Sequence, residues 1–379
     1  MAESSSALTS ALPRVLLRPG GRLVLHSIDS VAGCLKAWGN TVLASDVARR
    51  SPTLQWTDSS VQTIQVIDTH TAGHPTRTIA GVPLALRGGT VRERRDDFRA
   101  RFDHLRARLL HEPRGHAAMV AAVLTDSRDA DFGAFFVSSY VYLDMCGHAT
   151  IGLARTLCAM GQVDPATAPV DFTLETPAGI VDVNVASNAR GGFDVSLLNV
   201  ASFEEIPATT IEVEELGTIE LAVAHGGGRF GLVDASRHGW PLERDNVGDM
   251  CRIGAAIKSC ANRVLEPGID SVLFFRDLGA HHARHLVVLE RNKFDRSPCA
   301  TGTSARLAHL AARGLLKARE RFVAESVLGT RYDCRIETRV QQRSRDAVRV
   351  SITGQAYLTA FSTLVVEPSD PLADGFLCS

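Results

Sequence analysis

Cys146 in "DMCGHATIG" (residues 144–152) and Cys299 in "DRSPCATGTSA" (residues 295–305) each stand where a loop feeds an apolar helical run. A helix N-terminus exposes unpaired backbone N–H groups and a partial positive charge. That setting favours thiolate over thiol and is expected to lower both cysteine pKa values. The same N–H groups can hold a carboxylate. Two such loops facing one cleft would grip one carboxylate and set a thiol on each side of the neighbouring carbon. This is the geometry for moving a proton from one face of a Cα to the other, and it needs no metal, pyridoxal phosphate or nucleotide. A regulatory disulfide is the competing use of the pair. Inert buried cysteines beside helix caps are the bland alternative.

Laid over each other without gaps, "CGHATIGLARTLCAMGQV" (146–163) and "CATGTSARLAHLAARGLL" (299–316) share a register. Cys146 meets Cys299, Thr150 meets Thr303, Leu157 meets Leu310, Ala159 meets Ala312 and Gly161 meets Gly314. Cysteine, threonine and closing glycine in step point to two related halves, each offering a cysteine at a helix start.

The elements that must position these loops are legible in outline. At 379 residues the chain suits two domains of ordinary size. Residues 1–60 are expected to be a poorly ordered extension, with a transit peptide as the alternative. Order is expected from about "VQTIQVIDTHTAGHPTRTI", where Ile64 and Val66 begin a buried strand. Phe98, Phe102, Leu105 and Leu109 recur at helical spacing, their neighbouring arginines forming a solvated face. Pro113 and Gly115 end that helix. "FFVSSYVYLD" reads as one strand running toward Cys146, and helices are expected over 147–160 and around 303–314. Strands are also read in "VDFTLETPAGIVDVNV", "GGFDVSLLNV", "DSVLFF", "HHARHLVVLE" and "VRVSITGQAYLTAFSTLVVEPSDP". The G-x-G-x-x-G of Gly226, Gly228 and Gly231 lies between two strands rather than before a helix, so it is a turn and not a nucleotide cradle. His281, His282 and His285 lack zinc-like spacing and are read as a solvated turn.

Composition excludes several classes. A net charge of −1 gives no reason to expect a nucleic-acid or anionic-membrane partner. The eight cysteines contain no C-x-x-C pair. With no secretory signal read, free thiols in a reducing compartment, the cytoplasm, are expected. No apolar stretch approaches the roughly 20 residues that span a bilayer. The lysines are Lys36, Lys258, Lys293 and Lys317, which leaves few candidates for a Schiff base.

The two cysteine stretches resemble the signature segments of the proline racemase family. "IDTHTAGHPTR" (67–77), "EPRGH" (112–116), "ESVLGTRY" (325–332) and "GQAYLTAF…EPSDP" (354–371) match in the same order, so the resemblance covers roughly residues 62–371. It implies an α+β fold of two pseudo-symmetric domains of the diaminopimelate epimerase-like type, each a mixed sheet around a central helix, with the active site in the cleft between them. The implied domains are 61–198, joined by C-terminal strands in 354–379, and 199–353. Carried onto this sequence, Cys146 and Cys299 are the acid/base pair. Gly147, His148, Ala300 and Thr301 line the carboxylate site, and Asp295 holds the ring ammonium. The implied enzyme is a cofactor-independent, metal-free homodimer that inverts Cα of proline or 4-hydroxyproline. Two residues depart from the family pattern. Ala300 replaces a common glycine, a substitution that matters if the position needs φ > 0. Hydroxyproline epimerases often carry a histidine near the position of Ser271, and its absence weakens the 4-hydroxyproline reading without excluding it, because a serine can also hydrogen-bond a hydroxyl. A trans-3-hydroxy-L-proline dehydratase is the rival on the same scaffold, although such relatives typically keep one cysteine. Diaminopimelate epimerase itself has differently patterned loops. A non-enzymatic thiol redox or binding protein is the rival of another class.

Overall fold

The computed structural model describes residues 62–80 and 84–378, so the expected N-terminal extension lies outside the described residues. The first half contains β1 (Gln62–Thr71), β2 (His74–Ile79), α1 (Val91–Leu110), β3 (Val120–Thr125), β4 (Phe132–Ser138), β5 (Tyr142–Leu143), α2 (Gly147–Ala159), β6 (Val170–Thr176), β7 (Gly179–Ser187) and β8 (Phe193–Leu198). After β9 (Phe203–Val213) the second half contains β10 (Gly217–His225), β11 (Arg229–Asp234), α3 (Val247–Val264), β12 (Ser271–Gly279), β13 (His282–Glu290), β14 (Lys293–Asp295), α4 (Ala300–Ala312), β15 (Arg321–Ser326), β16 (Arg331–Gln342) and β17 (Arg345–Gly354). β18 (Ala356–Val366) closes the run.

The pairing repeats strand for strand. β2 and β3 pair in parallel across α1, as β11 and β12 do across α3. β4 and β6 pair in parallel across α2, as β13 and β15 do across α4. The hairpins β1–β2, β6–β7 and β7–β8 are answered by β10–β11, β15–β16 and β16–β17. β9 flanks β10 as β18 flanks β1, so β18 returns from the far end of the chain to the first strand. β8 pairs with β17, which joins the two halves. Parallel partners need a crossover, and a helix supplies each one.

The central helices are buried on almost every side. Every residue of α2 from Gly147 to Ala154 is buried, and so is every residue of α4 from Gly302 to Ala311. Their sequences are apolar all round rather than striped, the pattern of a helix enclosed by protein. Leu157 and Leu310, which share a register position, lie in one apolar core with Leu197, Tyr332 and Ile352. α1 packs Phe98, Leu105 and Leu109 inward with Phe102 half-buried, and its Thr90 cap closes reciprocally with Glu93.

Three readings need correction. "FFVSSYVYLD" is two strands, β4 and β5, because Ser138 turns the chain: its N–H donates to the Val141 carbonyl at 2.8 Å. The histidine group is not a solvated turn. His282 and His285 lie in β13, and His285 is buried with Nδ1 at 3.1 Å from the Thr303 hydroxyl. α3 was not expected; it buries Met250, Cys251, Gly254, Ile257, Cys260 and Ala261 along one face. Among the described residues, no helix is long and apolar enough to cross a membrane.

Candidate active site

Both cysteines are helix N-caps. Cys146 caps α2 in extended backbone (φ −148°) and Cys299 caps α4 at φ 61°, a left-handed value costly for a residue with a Cβ. The register threonines follow. The Thr150 N–H donates to the Cys146 carbonyl at 2.9 Å and the Thr303 N–H to the Cys299 carbonyl at 2.8 Å. The helices also end alike. Gly161 and Gly314 are left-handed (φ 68° and 71°), and the residues after them, Gln162 and Leu315, each donate to the carbonyls of Leu157 and Leu310 at 2.9 Å.

Cys146, Gly147, His148, Asp295, Cys299, Ala300 and Thr301 all line one cavity of about 740 Å³. That size is ordinary for a small-molecule site, roughly 300–1,000 Å³. The two helix starts touch there: a Cβ added to Gly147 would lie 2.3 Å from the Ala300 Cβ. Ala300 itself has no positive φ, so the alanine is unstrained, and the left-handed residue is its neighbour Cys299.

A short chain of hydrogen bonds sets Cys299 in place. Asp295 at the end of β14 accepts from the Ser297 N–H and hydroxyl, both at 2.8 Å. The Ser297 hydroxyl oxygen accepts the Cys299 N–H at 3.1 Å, and the Cys299 thiol accepts the Gly302 N–H at 3.4 Å. The first loop lacks the capping bond. The Cys146 Sγ instead lies 3.3 Å from His148 Nδ1.

Burial reverses the sign expected for the thiols. It pushes the Cys146 thiol up to about 12, with the Asp295 charge adding to the rise and Lys293 opposing it. Burial and Asp295 push Cys299 well above the usual thiol range against the pull of Thr301 and Gly302. The helix N–H groups act in the expected direction, and desolvation outweighs them. The histidines are held neutral: burial lowers His148 to about 4 and His74 well below the ordinary value.

Several lining residues were not anticipated. His74, at the start of β2, accepts the Arg296 N–H on Nδ1 at 3.0 Å, so its 3.4 Å approach to Asp295 is not an ion pair. His74, His148 and Asp295 each bring a ligand atom within 4.8 Å of the others, close enough for a metal ion. No spacing signalled this, because they come from β2, α2 and β14. Lys293 is buried in the same wall. The glycine turn after β10 also belongs here. Gly226 packs so close to α4 that a Cβ would lie 2.1 Å from the Thr301 carbonyl oxygen, and Gly227 and Gly228 line the cavity. Ser271 lines it too.

The proline racemase family profile matches residues 66–377. A 4-hydroxyproline 2-epimerase of Streptosporangium roseum is 36% identical over 323 residues, covering 82% of this chain and 97% of its own. A proline racemase of Clostridioides difficile is 35% identical over 330 residues, covering 83% and 98%. A solved hydroxyproline epimerase from Agrobacterium vitis with bound trans-4-OH-L-proline superposes with a TM-score of 0.79 at 25% identity, covering 84% of this chain and 96% of that one. The α+β architecture of two pseudo-symmetric halves is the diaminopimelate epimerase-like fold.

Proposed function

The chain belongs to the proline racemase family, and on that premise we propose that it is a two-base isomerase that inverts Cα of proline or 4-hydroxyproline with Cys146 and Cys299. One observation carries this: two cysteines capping the paired central helices of an internal repeat line a single cavity. One thiolate removes the Cα proton and becomes a thiol, while the other thiol delivers a proton to the opposite face and becomes a thiolate. Backbone N–H groups at the two helix starts, around Gly147–His148 and Ala300–Thr301, take the substrate carboxylate and stabilise the charge it gains as Cα becomes carbanionic. Asp295 takes the ring ammonium, with neutral His74 and His148 beside it. Proton transfer by positioned groups supplies typically 10²–10⁴-fold, so carboxylate stabilisation supplies much of the remainder.

The reading gives the cluster of His74, His148 and Asp295 to the ammonium rather than to a metal. His74 Nδ1 is already occupied by a backbone N–H, and the Lys293 cation acts on both histidines. Exhaustive chelation is therefore expected to leave turnover unchanged. The deciding experiment incubates the enzyme in deuterium oxide with L-proline, trans-4-hydroxy-L-proline and trans-3-hydroxy-L-proline. The expected result is Cα exchange with optical inversion of one of the first two. Water loss from the third without inversion would favour a dehydratase, and exchange with none of them would remove the isomerase.

A further inference from the structure

Each half sets the hairpin turn of its first two strands against its central helix, and the two halves secure that contact differently. In the first half the turn after β1 is entered through Thr71, whose hydroxyl donates to the His148 carbonyl at 2.8 Å. The register partner of His148 in α4 is Thr301. In the second half the turn after β10 meets that carbonyl with a glycine: a Cβ on Gly226 would collide with the Thr301 carbonyl oxygen. Gly226, Gly227 and Gly228 carry no side chain that could tie the turn to the helix.

Asn199 supplies the tie from elsewhere. It follows β8 at the crossing between the halves, where its N–H donates to the Val350 carbonyl at 2.9 Å. Its side chain is buried, and the amide nitrogen donates to the Gly226 carbonyl and to the Ser304 hydroxyl oxygen, both at 2.8 Å. The Ser304 hydroxyl donates its own proton to the Ala300 carbonyl at 3.0 Å. A carbonyl can only accept, so the bond to Gly226 fixes which end of the Asn199 amide faces the turn. The other end, Oδ1, is buried with no hydrogen-bond partner among the described residues. An orphaned buried carbonyl is destabilising, and an apolar side chain would avoid that loss. What the asparagine gains in return is one nitrogen bonded both to a cavity turn and to the helix start beside it. Gly227 and Gly228 line the cavity on one side of this link, Ala300 and Thr301 on the other. Gly227 also reaches the first cysteine loop, since a Cβ there would lie 3.5 Å from the Met145 Cβ.

We propose that Asn199 is a positioning residue: by bonding Gly226 and Ser304 at once, it sets the spacing between the glycine turn and the Ala300–Thr301 N–H groups, and with it the grip on the substrate carboxylate. The clamp stands on its hydrogen bonds; that it serves a carboxylate rests on the two-base reading. Donors aimed at developing charge act only at the right distance, and a misplacement of about 1 Å can cost roughly 10²-fold in rate.

The test pairs kinetics with amide hydrogen exchange on the full-length protein. Asn199→Asp keeps the shape of the side chain and removes both donor bonds, and Asn199→Ala removes the side chain. In each, peptides spanning 222–232 and 296–306 should exchange at least about tenfold faster, while peptides of α2 keep their wild-type rates. For the imino acid that the wild type exchanges at Cα, kcat/KM should fall by about 10–10²-fold, mainly through kcat, because the grip matters most as the carboxylate gains charge. Ser304→Ala, which leaves the Gly226 bond, should show the same pattern with a smaller loss. Unchanged exchange in the two segments overturns the clamp, and an equal rise in α2 overturns it too, since that is general loosening of the fold. Faster exchange in the two segments with unchanged kcat/KM overturns the role in the grip. If Asn199→Ala fails to fold, Asn199→Asp and Ser304→Ala give the same readings. Absence of Cα exchange by the wild type on every imino acid would sink the two-base reading, and the amide exchange rates would still decide the clamp.

Discussion

The two cysteine loops are built on one plan and differ in what surrounds each sulfur. Both start a buried helix, both place a threonine four residues on, and both helices close on a left-handed glycine. Yet Cys146 is extended and uncapped beside His148, while Cys299 is left-handed, accepts an N–H and stands beside Thr301. Gly147 in one loop meets Ala300 in the other. The repeat has kept the residues that position the sulfur atoms and changed those that set their environment. A symmetric scaffold thus holds two thiols in chemically distinct surroundings.

The largest effect expected from breaking one side is at Asp295, which belongs to the second loop alone. Asp295→Ala removes the partner proposed for the ring ammonium and the acceptor of both Ser297 bonds. Loss of a buried charge partner costs about 3–5 kcal/mol, so kcat/KM should fall by roughly 10²–10³-fold or more. A near-normal value would take Asp295 out of the site.

The contact between the helix starts comes next. Gly147→Ala sets two methyl groups against each other and should cost about 1–3 kcal/mol in urea unfolding. Ala300→Gly in that background should recover most of it, a coupling of roughly 0.5–3 kcal/mol. Simple additivity would mean that the loops do not meet as described.

Acid should destabilise both halves through their neutral histidines. His148 lies in the first loop, and His285 supports Thr303 behind the second. Their folded values, about 4 and about 3, lie below the ordinary 6.5. Below pH 6.5 the unfolded chain therefore binds protons that the native state refuses. Stability is fully present above 6.5 and falls as pH drops toward 4, by up to about 1.4 kcal/mol per pH unit for each histidine. His285→Gln should flatten that slope in thermal unfolding between pH 7 and 5, and an unchanged slope would show that His285 is not held neutral.

The smallest effect concerns backbone alone. At Cys299, glycine should be more stable than alanine by about 1 kcal/mol, because only glycine accepts φ 61° without strain. At Cys146 the order should reverse by a similar or smaller amount, since extended backbone gives glycine no advantage. The same order at both positions would erase the conformational difference between the loops.

How much of this was visible in the sequence depends on the range of the interactions involved. The helix starts, the shared register and the closing glycines were legible because caps impose residue types locally. The seven residues expected in the site do meet in one cavity, since each loop carries its residues close together in sequence. α3 was overlooked although it was legible: Met250, Gly254, Ile257 and Ala261 recur at helical spacing on its buried face. Lys293 and His74 were missed because only the folded sheet brings β14 and β2 beside α2. The direction of the thiol shifts was misjudged for the same reason: a helix N-terminus is a local feature, whereas desolvation belongs to the closed fold.

The most direct test of the paired thiols is enantiomer-specific Cα deuterium wash-in by Cys146→Ser and Cys299→Ser. Serine is far too weak an acid or base at neutral pH to stand in for a thiol. Each variant should lose net racemisation while still exchanging the Cα proton of one enantiomer, and the two variants should choose opposite enantiomers. Full racemisation by either variant, or exchange of the same enantiomer by both, would contradict a cysteine on each face of Cα.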